Sequence, residues 1–400
     1  MPKFLKKLDN HADYESYMEN EASFPFVAHC LDYNDVHYVS EEEGGRLPKF
    51  SYLTFEALES GTISFNIWRS MGTDMITSIS YSTDNGETWT TTNNTDNKTD
   101  NLQITVNVNS GDTVLWKGTA TQTGQYDENE GLNVGSFFSS TCRFNAKGNV
   151  MSILYGDNFM GQTTLTEAGS MADLFSDCDE VLSCSVVDAA DLVLPATTLV
   201  NGCYFDMFRN CESLTTTPVL PATSLANYCY CGMFYGCSGL TTAPELPATA
   251  LTSNCYANMF NGCTSLTTAP ELPATTLAED CYWYMFYGCS GLATAPELPA
   301  RTLANGCYGA MFRRCASLTT APELPATTLV NGCYNEMFGG CANLTYIKTM
   351  FTTTPSTSYT YRWVSGVKST GTFVKNSAAQ WNVTGVNGIP TNWTVQTASS

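Results

Sequence analysis

Apolar positions recur with a period of 26 between residues 194 and 349, six times over and without an insertion. The pairs Cys203-Tyr204, Cys229-Tyr230, Cys255-Tyr256, Cys281-Tyr282, Cys307-Tyr308 and Cys333-Tyr334 are each followed by Met-Phe, then by a Cys three residues beyond that Phe. The unit reads roughly LPATTLANGCYxxMFxGCxxLTTAPE. Self-similarity this strict predicts a solenoid, in which no unit buries its own apolar face and each leans on its neighbours to build one core. If the Cys-to-Cys stretch is helical, Cys281, Met285 or Phe286, and Cys289 share a face where a thiol serves as a small hydrophobe. Stacked helical segments lie roughly 8 to 10 Å apart, whereas a disulfide needs Cα atoms about 4.4 to 6.8 Å apart. Free, buried thiols are therefore expected.

Upstream the period changes to two. Short runs rich in β-branched and aromatic residues at 52–58, 62–68 and 102–108 predict an all-β, immunoglobulin-like sandwich over residues 47–155. Residues 1–46 hold a short helical stretch at 12–19 behind Asp9 and Asn10, then two strand-like runs, 26–30 and 36–39, that read as a hairpin. This segment is expected to serve as an anchor or an oligomerisation element. Residues 156–193 form the N-terminal cap, with Asp173-Leu174-Phe175-Ser176-Asp177-Cys178 as a degenerate repeat element. Residues 350–400 form a β-rich C-terminal cap whose Trp363, Trp381 and Trp393 can cover the last unit. The fold class expected is thus mixed α/β: a β-sandwich followed by a solenoid of six repeats with capping segments.

Charge narrows the functions open to such a chain. With 38 acidic against 18 basic residues the formal charge is −20, which repels phosphate backbones and argues against nucleic acid as a partner. No stretch of 18 apolar residues occurs, so no helical membrane span is expected. The basic start lacks the apolar run of a secretory signal. Of the 17 cysteines, twelve occupy two fixed repeat positions, which points to packing. Zinc is disfavoured because His11, His29 and His37 all lie far from the repeats and paired CxxC sites are lacking. No cofactor and no metal is expected.

Candidate chemistry lies where the repeats differ from one another. Trp283, Tyr284 and Tyr287 in one unit, Arg313 and Arg314 in the next, and Arg301 nearby form an aromatic platform beside guanidinium groups, suited to stacking on a sugar ring and binding its acidic substituents; ordinary surface variation is the alternative. Glu245, Glu271, Glu297 and Glu323 recur at one repeat position. Like charges about 4.8 Å apart on adjoining units repel, so this ladder reads either as a solvated row that blocks lateral association or as a track for a cation or basic partner. The octet Ser82–Trp89 matches the Asp-box hairpin of sialidase-like propellers and places Asn85-Gly86 between two strand-like runs. It occurs once, with no arginine triad to accompany it.

The run Met233-Phe234-Tyr235-Gly236-Cys237-Ser238-Gly239-Leu240-Thr241-Thr242, followed by Leu246-Pro247, resembles the BspA-like leucine-rich repeat. The unit departs from that pattern in its length of 26 and in the extra step Ala243-Pro244-Glu245. The resemblance covers about residues 170–350 and implies surface display, adhesion and recognition of protein or glycan, with no catalytic residues. The flanks, including His11-Ala12, Arg143-Phe144-Asn145, Leu154-Tyr155-Gly156-Asp157 and Gly371-Thr372-Phe373, resemble proteins of gut Bacteroides-type bacteria and their phages. On that resemblance the expectation is a non-enzymatic virion structural or adhesion protein, such as a head or tail fibre or a decoration protein. It would be made in the host cytoplasm and displayed on the virion surface as a homo-oligomer, held to other virion proteins by its N-terminal segment and meeting host-surface glycan or protein through the solenoid. A bacterial cell-surface adhesin is the alternative, and a glycosidase-like enzyme a remote one.

Overall fold

The computed structural model describes residues 28–29, 38–39, 52–67, 76–93, 102–126, 133–176 and 184–398. The helical stretch expected at 12–19 lies outside these residues, as does most of the 1–46 segment. Within that segment β1 (Ala28–His29) pairs antiparallel with β2 (Tyr38–Val39), as the hairpin pattern predicts.

The all-β region is built from β3 (Leu53–Ala57), β4 (Gly61–Ile67), β5 (Ile76–Ser82), β6 (Thr90–Asn93), β7 (Leu102–Val108) and β8 (Thr113–Ala120); buried and exposed residues alternate along β7, whereas β3 and β4 bury most of their residues on both faces. β9 (Gly124–Tyr126) and β10 (Asn133–Gly135) pair as a small ribbon, and β11 (Phe137–Ser140) and β12 (Phe144–Asn149) follow. One sheet has the order β11-β4-β7. The other runs β12-β3-β8-β5-β6 and continues past β12 into β13 (Val186–Asp188) and β14 (Leu192–Val193), which pair with β12 in parallel. Rings from the two sheets meet: Phe55 lies 4.6 Å from Phe138, and Trp116 5.2 Å from Phe138, all fully buried. The turn after β5 is longer than the Asn-Gly signal suggests. It spans residues 83–89, with Asn85 and Gly86 at positive φ and Asp84 accepting from the Thr88 amide and hydroxyl and from the Ser82 hydroxyl.

The expected helix between the two cysteines of each unit is absent. Helical structure among the described residues amounts to the single turns Ser152–Tyr155 and Thr357–Thr360 and a 3₁₀ turn at Gly156–Asn158, so the α part of the mixed α/β expectation is corrected to a strand- and turn-rich chain. The reason lies in how the backbone amides are used. Within one unit Cys203, Phe205, Met207, Arg209 and Cys211 donate to the carbonyl three residues back. The residues between them, Gly202, Tyr204, Asp206, Phe208 and Asn210, donate to the unit ahead, at Asn227, Cys229, Cys231, Met233 and Tyr235. Every second amide closes a turn and every other one bonds along the stack. The third position of alternate turns has positive φ, as a type II turn requires: residues 202, 206 and 210, then 228, 232 and 236, then 254, 258 and 262, and onward. Gly, Asn and Asp fill most of these positions because they tolerate the left-handed region.

This run of turns stacks like aromatics on like. Tyr204, Tyr230, Tyr256, Tyr282, Tyr308 and Tyr334 lie in a file with centroids 5.6 to 6.1 Å apart. A parallel file joins Phe208, Phe234, Phe260, Phe286, Phe312 and Phe338 at 5.6 to 5.9 Å. On the other limb of the unit the 26-residue pairing consists of isolated parallel bridges such as Thr242↔Thr268 and Thr268↔Thr294, without continuous strands. Adjacent units are hydrogen-bonded to each other, so the 8 to 10 Å separation used to argue against disulfides does not hold. The described cysteines are nonetheless free and buried, and their thiols point at carbonyls. Cys237, Cys263, Cys289 and Cys315 donate to Phe208, Phe234, Phe260 and Phe286 at 3.0 to 3.1 Å. Burial pushes the Cys203 thiol up to about 12 and Cys237 and Cys289 well above the usual thiol range, which keeps them protonated and unreactive.

The stack does not stop where the sequence repeat does. Phe138 of the β-rich region stacks at 5.7 Å on Phe175, which stacks at 5.0 Å on Phe208. At the other end the Tyr334 and Phe338 amides donate to Tyr359 and Trp363, and Trp363 lies 6.2 Å from Phe338. β15 (Tyr346–Lys348), β16 (Thr372–Lys375) and β17 (Thr394–Thr397) pair in parallel, carrying the limb through two further layers. Trp381 stacks on Phe351 at 5.2 Å. Because each Phe of the file is held on both faces, Phe260→Ala is expected to destabilise the chain by about 3 to 5 kcal/mol. Urea denaturation of the two proteins measures this; a loss well under about 1 kcal/mol would show that the file is not what holds the layers together.

Candidate functional site

Six positions of the turn run share one arrangement. A large or polar side chain of one unit lies over a glycine of the next: Asp206 over Gly232, Asn210 over Gly236, Asp280 over Gly306, Trp283 over Gly309, Arg313 over Gly339 and Arg314 over Gly340. A Cβ on Gly309 would stand 2.6 Å from the Trp283 ring, and one on Gly340 would stand 3.4 Å from the Arg314 stem. Bare backbone in one layer thus lets a long side chain in the layer before it lie flat.

Five of the six residues singled out by sequence come together on the turn run, three of them against such glycines. Trp283 meets Tyr284 edge-on at 4.7 Å, and Tyr284 lies 5.2 Å from Tyr287. The guanidinium groups of Arg313 and Arg314 stand 5.7 and 5.5 Å from the Tyr287 ring centre, a geometry in which a cation is drawn to the ring quadrupole. Arg313 also makes a 2.6 Å ion pair with Glu336 of the following unit. Trp283 keeps 41% of its surface exposed, more than any other indole among the described residues. Arg301 stands apart. It is exposed on the extended limb, at the repeat position of Thr275 and Thr327, and none of the described contacts joins it to the turn-run residues.

Sequence reasoning missed four residues of this surface. Glu336 is the partner of Arg313, and Tyr361 and Arg362 follow on the seventh layer, where Tyr361 is 49% exposed. Tyr361 occupies the repeat column of Trp283, so counting the period past residue 349 would have found it. Arg209 lies 4.7 Å over Tyr235, a second cation–aromatic pair of the kind formed by Arg313 and Tyr287. The backbone also sets the plate apart. Where earlier units place mostly Gly, Asn or Asp at positive φ, this surface has Tyr284, Ala310, Arg314, Glu336 and Arg362 there. Side chains with a Cβ store strain in that region, and such strain gathers at functional sites.

Two other clusters have structural explanations. Lys117 sits 4.1 Å over the Trp89 ring and pairs with Asp157 at 2.7 Å, while the Tyr52 hydroxyl donates to the same carboxylate. Burial and that carboxylate raise Tyr52 to about 12. The cluster ties the 83–89 turn to β8. Asp84 of the Asp-box octet is held down to about 2 by its bonds from Thr88 and Ser82; its acceptor sites are taken up in shaping the turn. Glu245, Glu271, Glu297 and Glu323 are all exposed, and Lys348 pairs with Glu323 at 2.8 Å. No group of three or more potential metal ligands occurs among the described residues, and none of their helices is long and apolar enough to cross a membrane. Comparison with protein-family models, curated proteins and solved structures finds no match to this chain.

Asp206 is only 6% exposed and pairs with Arg209 at 2.8 Å. Burial raises its carboxyl to about 6, with Arg209 opposing the rise. Two units on, the same two positions hold Asn258 and Asn261, joined by a 2.9 Å hydrogen bond. The fold therefore retains a proton on Asp206 that an unfolded chain releases near pH 4, and stability falls as pH rises from about 4 through about 6. Asp206→Asn, which copies the neutral pair, is expected to remove that slope. It should leave stability at pH 3.5 unchanged and raise it by about 2 to 3 kcal/mol at pH 8. Urea midpoints across this range test the assignment, and an unaltered slope in the variant would exclude Asp206 as its source.

Proposed function

We propose that the chain is a non-enzymatic display protein: a solenoid of six 26-residue repeats, of the BspA-like leucine-rich type, carried on an immunoglobulin-like β-sandwich and offering its turn-run surface to a host-surface glycan or protein. The observation that carries this reading is the plate of Trp283, Tyr284, Tyr287, Arg313 and Arg314, in which Trp283 and the two arginines lie against glycines of the next layer and the two tyrosines join them through ring and cation contacts. Rigid aromatic anchors bind with little loss of side-chain entropy. The non-enzymatic reading is supported by thiols that are buried and protonated and by the structural engagement of Asp84.

The leading assignment is a virion structural or adhesion protein, with the 1–46 segment attached to other virion proteins and several copies adding weak contacts into avidity. The repeat pattern itself favours a second reading, a bacterial surface adhesin. Peptide mass spectrometry on density-purified phage particles and on washed bacterial envelopes separates the two: enrichment in particles is expected, and enrichment in envelopes alone would replace the virion reading with the adhesin. The plate is tested by Trp283→Ala with Arg313→Ala. That double variant should attach to host cells at least about tenfold more weakly, the effect of losing roughly 1.4 kcal/mol, with its unfolding midpoint within a few degrees of the parent. Equal attachment by both proteins would rule the plate out as the recognition surface.

A further inference from the structure

The plate does not end at the residues that define it. Arg314 and Arg362 have no carboxylate partner among the described residues, in a chain whose formal charge is −20. Beyond Glu336 the sequence contains Lys348, Arg362, Lys368 and Lys375 and not one Asp or Glu, so the last layers are basic on an otherwise acidic molecule. Glu336, the last acidic residue, neutralises Arg313 and leaves Arg314 uncompensated. Arg314 and Arg362 both sit at positive φ, at 64° and 48°. Bare backbone follows each plate arginine: a Cβ on Gly340 would stand 3.4 Å from the Arg314 stem, and one on Gly339 would stand 3.6 Å from both the Arg313 stem and the Arg362 carbonyl oxygen. An exposed aromatic marks each end, Trp283 on the fourth layer and Tyr361 on the seventh, in the same repeat column.

We infer that this surface binds a linear, carboxylated glycan laid along the stack axis, an inference that rests on the display reading above and specifies the ligand class of its plate. The apolar face of one sugar ring packs on the indole of Trp283, which Gly309 allows to lie flat. Carboxylates further along the same chain meet the guanidinium groups of Arg314 and Arg362, which offer paired donors in the geometry a carboxylate accepts. Tyr361 closes the far end. Gly309 is a positioning residue: its own φ is not in the left-handed region, so an alanine there is tolerated by the backbone and acts by pushing the Trp283 ring away.

The test is titration calorimetry of the full chain with oligogalacturonate as the carboxylated probe, and with maltohexaose and poly-glutamate as comparisons. Oligogalacturonate is expected to bind and to weaken as salt is raised. Arg314→Gln and Arg362→Gln should each reduce affinity about tenfold or more, and Gly309→Ala should reduce it while quenching and solvent exposure of the Trp283 fluorescence change. Circular dichroism and the unfolding midpoint should match the parent in all three variants. If maltohexaose binds equally well and only Trp283→Ala abolishes it, the carboxylated class is wrong and the display reading stands. Binding of poly-glutamate in preference to either saccharide would overturn the glycan assignment in favour of an acidic peptide. If no probe binds, the inference fails, and the cell-attachment experiment with the Trp283 and Arg313 double variant then decides separately whether the display reading fails too.

Discussion

The alternation of backbone amides between turn and stack is the constraint from which the rest of this structure follows. A helix satisfies its amides within itself and leaves none for its neighbours; a strand gives all of its amides to the strands beside it. Here Tyr204, Asp206 and Phe208 bond to the next unit while Phe205, Met207 and Arg209 bond within their own. Each layer is therefore closed enough to have a fixed shape and open enough to be glued to its neighbours. Positive φ at every fourth residue is the geometric condition for this, and it brings equivalent residues of successive units into register. The Tyr and Phe files, the thiol-to-carbonyl bonds and the flat side chains over glycines are all consequences of that register.

Because the register depends on backbone bonds, the stack can pass through sequence that no longer repeats. Phe138 belongs to a β-sheet yet stacks on Phe175 at the head of the Phe file, and Trp363 of the closing segment packs tilted against both Phe338 and Tyr334 at its far end. β12 pairs in parallel with β13 and β14, which makes the sheet and the first layers one hydrogen-bonded body at that edge. The apolar ends of a repeat stack need covering, and here the covering is done by aromatic residues packed on the end members of the files.

Much of this was legible in the sequence. The period, the buried columns of Cys, Tyr, Met, Phe and Leu, and the all-β character upstream follow from spacing alone. The secondary structure within a unit did not, because Cys203, Met207 and Cys211 are four residues apart and that step fits a helical face as well as a chain of four-residue turns. The distinguishing signal was the placement of Gly202, Asp206 and Asn210, left-handed formers at the same interval, which a helix has no use for. Five of the six candidate site residues lie in the turn run and meet in space because the 26-residue step sets Arg313 beside Tyr287. Arg301 was grouped with them by proximity along the chain, but the limb and the turn run are different sides of the unit. Tyr361 and Arg362 escaped notice since they fall in a layer where the apolar consensus fades, although the column arithmetic continues through them; Glu336 lies within the sixth unit, and its pairing with Arg313 carries no mark in the repeat pattern.

The glycines under the flat side chains also determine how such a protein can change in length. A single residue inserted within the turn run of one unit would move that unit's left-handed positions onto residues that must pack, and would lift its side chains off the glycines that receive them. Duplication of a whole unit disturbs neither, and adds one layer of about 5 Å. The turn run of the six regular units can thus be lengthened or shortened only in whole steps, like a ruler whose graduations are the layers themselves.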